Sequence, residues 1–180
     1  PIASGRMINR GQKNSWYLLS AMDENSPYII PGEEQSFSLS GGRSISNIFR
    51  FRRTLNEASF FGILATDRRM VDSDGSGSVI GFDTRYKFNK TYQVELQTLF
   101  SKTQEPTDFL LVSNETFGDN NTFTFDGESF TGNAIELEFR RETEHWGLEA
   151  GYDHKSPAFR ADNGFISNNN HRRIYLESYW

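Results

Sequence analysis

The chain has no cysteine. Without thiols there is no disulfide, no thiolate metal site and no cysteine nucleophile. Histidine is nearly as scarce. His145, His154 and His171 are the only three, and their spacing suits no shared metal site. No apolar run approaches the ~20 residues that a transmembrane helix needs, and mean hydropathy is −0.64. A β-barrel stays open, because barrels hide their apolar residues by alternation. Neither sign of charge dominates: 19 Lys and Arg against 24 Asp and Glu give a net −5. No basic patch marks a nucleic-acid surface. There is no P-loop, no glycine fingerprint and no nucleophile elbow. The opening residues Pro1-Ile2-Ala3-Ser4-Gly5 lack the charged start and apolar core of a signal peptide. The expectation is a signal already removed, or a sequence that begins inside a longer protein.

Aromatics are abundant, with 16 Phe, 7 Tyr and 3 Trp in 180 residues. Their arrangement is clearest at 78–102. There Ile80, Phe82, Thr84, Tyr86 and Phe88 alternate with Gly81, Asp83, Arg85 and Lys87. After Asn89–Thr91, Tyr92, Val94, Leu96, Thr98 and Phe100 alternate with Gln93, Glu95, Gln97 and Ser101. Such alternation predicts two strands, each with one apolar and one polar face. A turn at 89–91 sets Phe88 opposite Tyr92, Tyr86 opposite Val94, and Arg85 opposite Glu95. Each arm is about 11 residues, enough to cross a bilayer as a tilted strand.

The same period recurs at 43–54, 132–142 and 145–155, while 1–9 is a weaker strand candidate, 15–22 an apolar strand, 58–69 a further strand and 172–180 the start of a last one. Facing is ambiguous at 58–69, where Phe60 and Phe61 are adjacent. Short turns are expected at 10–14, 55–57, 89–91 and 143–144. Long loops are expected at 23–42, 71–77, 103–131 and 156–171. The first long loop holds a small excursion of its own (YII and SFSLS). The third holds NTFTFDGESF, where Asp126-Gly127 between aromatics predicts a hairpin. Short and long connections alternate through about nine strands. That is the plan of an outer-membrane barrel. The fold class expected is therefore all-β: one domain over 1–180, an antiparallel up-and-down transmembrane β-barrel or a segment of a larger one. The other all-β solution is a soluble barrel or sandwich. Soluble strands usually run about 5–6 residues, shorter than several here.

The polar faces supply candidate lumen-lining residues: Arg50, Arg52, Asp83, Arg85, Glu95, Glu138, Arg140 and Glu149. Mixed signs suit a salt-bridged wall better than a selective ring or a glycosidase pair. Phe109, Phe117, Phe123, Phe125 and Phe130 are candidate loop contacts, to grip a glycan or partner or to pack the loop over the barrel mouth. Residues 72–77 (DSDGSG) with Asp83 superficially match a calcium loop. A strand at 78–88 would carry Asp83 about 20 Å away at ~3.3 Å per residue, so turn chemistry is the better account. No catalytic, metal or cofactor residue is assigned.

Two stretches resemble a known family. One is FRFRRTLNEASFFGILATDRR followed by SVIGFDTRYKF. The other is GNAIELEFRRETEHWGLEAGYDHKSPAFRADNGFISNNNHRRIYLESYW. The pattern is Arg50, Arg52 and Arg53, then Ser59, Gly62, Thr66, Asp67 and Arg68, and later Phe159, Asp162, Gly164 and Phe165. It resembles the barrel region of large Bacteroidota outer-membrane proteins of unknown function, which often carry an N-terminal carbohydrate-binding-like sandwich. The resemblance implies a bacterial outer-membrane location and a barrel larger than this chain, since the sandwich and the later strands are missing. It transfers no catalytic residue. The function expected is a non-enzymatic outer-membrane barrel in contact with the lipid bilayer, in transport, surface docking or an envelope complex. Other envelope proteins or glycans are its expected partners, and nucleic acid is not. The alternatives are a soluble carbohydrate-binding module and, last, a barrel-embedded hydrolase.

Overall fold

The computed structural model describes residues 1–108, 111–164 and 166–180. Its strands in chain order are β1 (Ala3–Arg10), β2 (Asn14–Asp23), β3 (Pro27–Pro31), β4 (Ser36–Ser40), β5 (Ser44–Asn56), β6 (Ser59–Met70), β7 (Ser76–Phe88), β8 (Tyr92–Gln104), β9 (Thr116–Phe117), β10 (Asn121–Thr122), β11 (Ser129–Glu142), β12 (Gly147–Lys155) and β13 (His171–Tyr179). Nine of them form one antiparallel up-and-down sheet in the order β1-β2-β5-β6-β7-β8-β11-β12-β13. β3 pairs with β4, and β9 with β10, as small separate ladders. The sheet is not closed. Among the described residues β1 pairs only with β2 and β13 only with β12, so the all-β meander is present but a complete barrel is not.

The central hairpin has the register that alternation requires. Phe88 faces Tyr92, Tyr86 faces Val94, Thr84 faces Leu96 and Arg85 faces Glu95. Asn89 makes the turn at φ 54°, a left-handed conformation that asparagine tolerates well. The turns after β1, β5, β7 and β11 are short, and the connections after β2, β6, β8 and β12 are longer. Strand direction alternates, so all the short turns lie at one end and all the longer loops at the other. The β6–β7 loop is the briefest of the latter, because β7 begins at Ser76.

Register carries the faces across the whole sheet. Trp16, Phe51, Ile63, Phe82, Thr98 and Ile135 form one cross-strand row. Phe61, Thr84, Leu96, Leu137, Tyr152 and Ile174 form another on the same face. The Phe60–Phe61 ambiguity is resolved by pairing: Phe61 opposes Thr84 on the apolar face, and Phe60 opposes Arg85 on the polar one. No described element packs against the apolar face. Ile80 and Phe82 are each 47% exposed, Tyr86 and Phe100 each 50%.

The buried core lies on the other side, at the loop end. Tyr28, Ile30, Met70 and Phe125 form one cluster, with Tyr28 edge-on to Phe125 at 5.2 Å between ring centroids. Nearby, the chain after β12 lies flat against the polar face of β11. Gly132 makes this possible, since a Cβ there would fall on the backbone of Phe159 and Ala158. The hairpin expected at Asp126-Gly127 is corrected by the structure. Gly127 does turn, at φ 89°, but the flanking aromatics do not pair across it. Phe125 is fully buried in the core, and its N–H donates to the Leu111 carbonyl at 3.0 Å. The short ladder forms instead between β9 and β10 around Gly118 and Asn120, both at positive φ. A core contact outcompetes the local turn preference.

Gly132→Val should therefore lift the β12–β13 loop off the sheet while the strands persist. The expected cost is about 1–3 kcal/mol, as for overpacking. Limited proteolysis should show earlier cleavage within 156–170, with the far-ultraviolet β signal unchanged.

Candidate functional site

The eight candidate lumen-lining residues all fall on the polar face, and the strands group them. Gly62 on β6 opposes Asp83 on β7 and Arg52 on β5, and the Arg50 side chain reaches over it diagonally from two residues along β5. With no side chain intervening, the guanidinium reaches across β6 to Asp83 as a bidentate pair, Nη2 to Oδ2 at 2.6 Å. A Cβ at Gly62 would lie 2.6 Å from the Asp83 carboxylate and 2.7 Å from Arg50 Nη2. Arg85 pairs with Glu95 at 3.0 Å across the central hairpin, and Gln93 donates to the same carboxylate at 2.7 Å. Glu95 directly opposes Glu138, a like-charge position that would repel if left bare. Arg140 relieves it by bridging Glu138 at 2.7 Å and Glu149 at 3.2 Å. Arg52 stands apart, its guanidinium 3.7 Å above the Phe60 ring.

This wall is half-buried rather than sealed, so each pair is screened and worth about 1 kcal/mol or less. The pairs neutralise one another along the strands and form no single-sign ring. Asp72, Asp74 and Asp83 do not come together as ligands. Asp72 is bound by Arg43 at 2.6 Å, Asp74 accepts from the Thr107 N–H at 3.2 Å, and Asp83 belongs to Arg50. Among the histidines, His171 contacts Asp153 at 2.9 Å, His154 Nδ1 faces the His171 carbonyl at 3.2 Å, and His145 lies on an exposed turn.

Above this wall the loops build a second layer that no sequence motif announces. Glu105 is 1% exposed and Arg160 is 5% exposed; they meet at 2.6 Å. Burial pushes the Glu105 carboxyl up to about 7, against the pull of Arg160. Arg160 also lies 4.7 Å from the Phe130 ring and 5.3 Å from the Phe117 ring. Two residues on, Asp162 presses into the space over Gly77, where a Cβ would collide with its carboxylate. Burial raises its pKa, opposed by Arg160 and Arg68.

The loop phenylalanines mostly pack the cover. Phe125 is in the core, and Phe130 is buried edge-on to Phe117 at 5.1 Å. Phe117 and Phe123, 4.8 Å apart, keep partial exposure. With exposed Phe37, Glu33, Asn170 and buried Asn169 they line a cleft of about 710 Å³. Phe109 lies outside the described residues. Loops from opposite halves of the sheet meet beside this cleft: Gly32 bridges Asn168, and Asn170 bonds Glu33.

Comparison with protein-family models, with curated proteins and with solved structures finds no match.

The raised Asp162 carboxyl sets the sign of a pH effect. An acid that titrates higher when folded holds its proton longer there than when unfolded. Its contribution to stability is full below the ordinary value near 3.8. It declines as pH rises from there through the folded value, and is flat above. Asp162→Asn should remove that decline. Hydrogen exchange of residues 156–164 against pH should show the variant's protection, relative to wild type, growing from acid toward neutral pH. A parallel pair of curves would mean that Asp162 ionises freely.

Proposed function

We propose that this sheet is the wall of an outer-membrane β-barrel, wholly or as a segment, with its apolar face in lipid and its polar face lining the interior. The observation that carries the reading is the bare apolar face. A soluble β protein covers such a face with a second sheet or helices, whereas a bilayer covers it without any protein layer. The face also has limits of the expected height. From Ile80 to Phe88, eight steps of about 3.3 Å at a tilt near 40° span roughly 20 Å of the normal, close to the ~25 Å apolar band of such barrels. Toward the loops it stops at a row of Asn47, Asp67, Ser78 and Lys102. Toward the turns it ends in stacked rings, Tyr86 on Phe88 at 6.2 Å and Phe88 on Tyr92 at 5.2 Å, with Arg141 beside them. Aromatic residues favour that interfacial depth.

The role that fits is docking or transport at the loop end rather than catalysis. The wall charges are paired with one another, which supports a structural lining. The loop layer folds over the polar face instead of leaving a wide mouth, which favours a surface contact over free diffusion. The resemblance to Bacteroidota outer-membrane barrels supports the same location and a larger assembly.

Leu96 and Gln97 are neighbours in sequence on opposite faces. Leu96→Arg should block assembly into membranes, because an arginine on the lipid face near mid-depth costs about 2–4 kcal/mol. Gln97→Arg should be tolerated, since Asp83 and Glu136 oppose it on either side. Membrane fractionation and heat-shifted gel mobility read both. Equal tolerance of the two variants, or wild-type protein soluble without detergent, would overturn the reading.

A further inference from the structure

The connection between β8 and β11 brings together acidic groups that a barrel wall does not require. Glu105, Asp126 and Glu128 each place a carboxylate oxygen within 4.8 Å of the others. The backbone fixes this meeting. The Glu105 N–H donates to the Glu128 carbonyl at 2.9 Å, just past the last rung of the β8–β11 ladder. Thr107 bridges Asp126, and Gly127 turns the chain between the two acids.

An independent feature of the same place points to a ligand. One oxygen of buried Glu105 accepts from Arg160. The other, Oε2, is out of contact with solvent and has no hydrogen-bond partner among the described residues. A buried carboxyl oxygen without a partner is costly. Glu128 Oε2 is held by the Thr122 N–H at 2.8 Å, which orients that carboxylate. Three carboxyl groups face one guanidinium here, so the cluster carries excess negative charge whenever Glu105 is ionised.

We infer that Glu105, Asp126 and Glu128 bind a divalent cation, and that calcium is the fitting ion. Such an ion supplies both the missing charge and a partner for Glu105 Oε2. The donors are all hard oxygens, with no nitrogen or sulfur to favour zinc or copper. Calcium accepts irregular carboxylate-rich coordination, whereas magnesium demands near-octahedral geometry and gives up water reluctantly. The ion would join the start of the connection, at Glu105, to its end, at Asp126 and Glu128, and so hold the loop layer closed.

The test uses the full chain, in detergent micelles or in plain buffer if it is soluble there, stripped with chelator. Calorimetric titration with calcium chloride should give saturable binding with a dissociation constant of roughly 10⁻⁴–10⁻³ M, and magnesium should bind at least about tenfold more weakly. Calcium should also slow proteolysis within 105–128. Asp126→Asn changes an exposed residue and spares the fold; it and Glu128→Gln should each weaken calcium binding about tenfold or more. Asp119→Asn, an exposed carboxylate in the same connection, should leave binding unchanged. No calcium heat and no protection at about 10 mM calcium, or equal binding by wild type, Asp126→Asn and Glu128→Gln, would overturn the assignment.

Discussion

Everything in this molecule depends on the backbone ladder between β7 and β8. Thirteen residues on each strand pair without a slip, from Phe88–Tyr92 at the turn to Ser76–Gln104 at the loops. Because side chains alternate with a period of two, one register decides the face of every residue on both strands. Each neighbouring ladder then inherits that decision. Only the β5–β6 ladder carries a shift, between Thr54 and Asn56 beside its turn, where it leaves the faces intact. One local pairing thus propagates into a nine-stranded surface with apolar groups on one side and ions on the other.

Glycine placement reinforces the distinction between the faces. Six of the seven strand glycines, Gly62, Gly77, Gly81, Gly132, Gly147 and Gly151, lie on the polar side by register; Gly5 on the edge strand β1 lies on the other. At each of the six, an added Cβ would meet a neighbouring group: the Arg50–Asp83 pair at Gly62, Asp162 at Gly77, Leu99 at Gly81, the Phe159 backbone at Gly132, and tyrosine rings of β13 at Gly147 and Gly151. Their missing side chains make room for ion pairs that step across a strand and for loops that settle onto the sheet. Crowding confined to one side is what a curving sheet produces on its concave face, and glycine is the residue that relieves it. On the apolar side, a Cβ added at Gly5 would meet nothing within 4 Å.

The strands were legible because their signal is local. Alternation alone gave the Phe88–Tyr92 register, the short-turn end and the shared face of Arg50, Asp83, Arg85, Glu95, Arg140 and Glu149. Phe60 and Phe61 could not be sorted from their own segment, since adjacent aromatics fit either phase. Only pairing with Thr84 and Arg85 sorts them. The Asp126-Gly127 hairpin misled for a related reason: turn propensity is a weak local preference, and burial of Phe125 against Tyr28 overrides it. Of the loop layer, only the packing of the loop phenylalanines was within reach as one of two readings; its charged centre was hidden. Glu105 and Arg160 are 55 residues apart, in segments without periodicity, and nothing local distinguishes them from surface charges. The acidic meeting of Glu105 with Asp126 and Glu128 was equally invisible, because it depends on where the ladder stops.

The sheet's edges sharpen what the proposed membrane setting requires. Nine alternating strands leave β1 and β13 running in the same direction, so joining those edges directly would need a parallel ladder. Antiparallel completion instead takes an odd number of additional strands, from this protein's own continuation or from another chain. Lipid makes completion obligatory, since it offers no partner for the unpaired N–H and C=O groups of an edge, each costing several kcal/mol. A water-facing sheet would tolerate those edges, yet water is a poor neighbour for the apolar face. Central strands of 12–14 residues, a bare apolar band and two like-directed edges are awkward features separately in solution. Together they are what the proposed barrel wall would reconcile, with lipid against the apolar band and further strands against both edges.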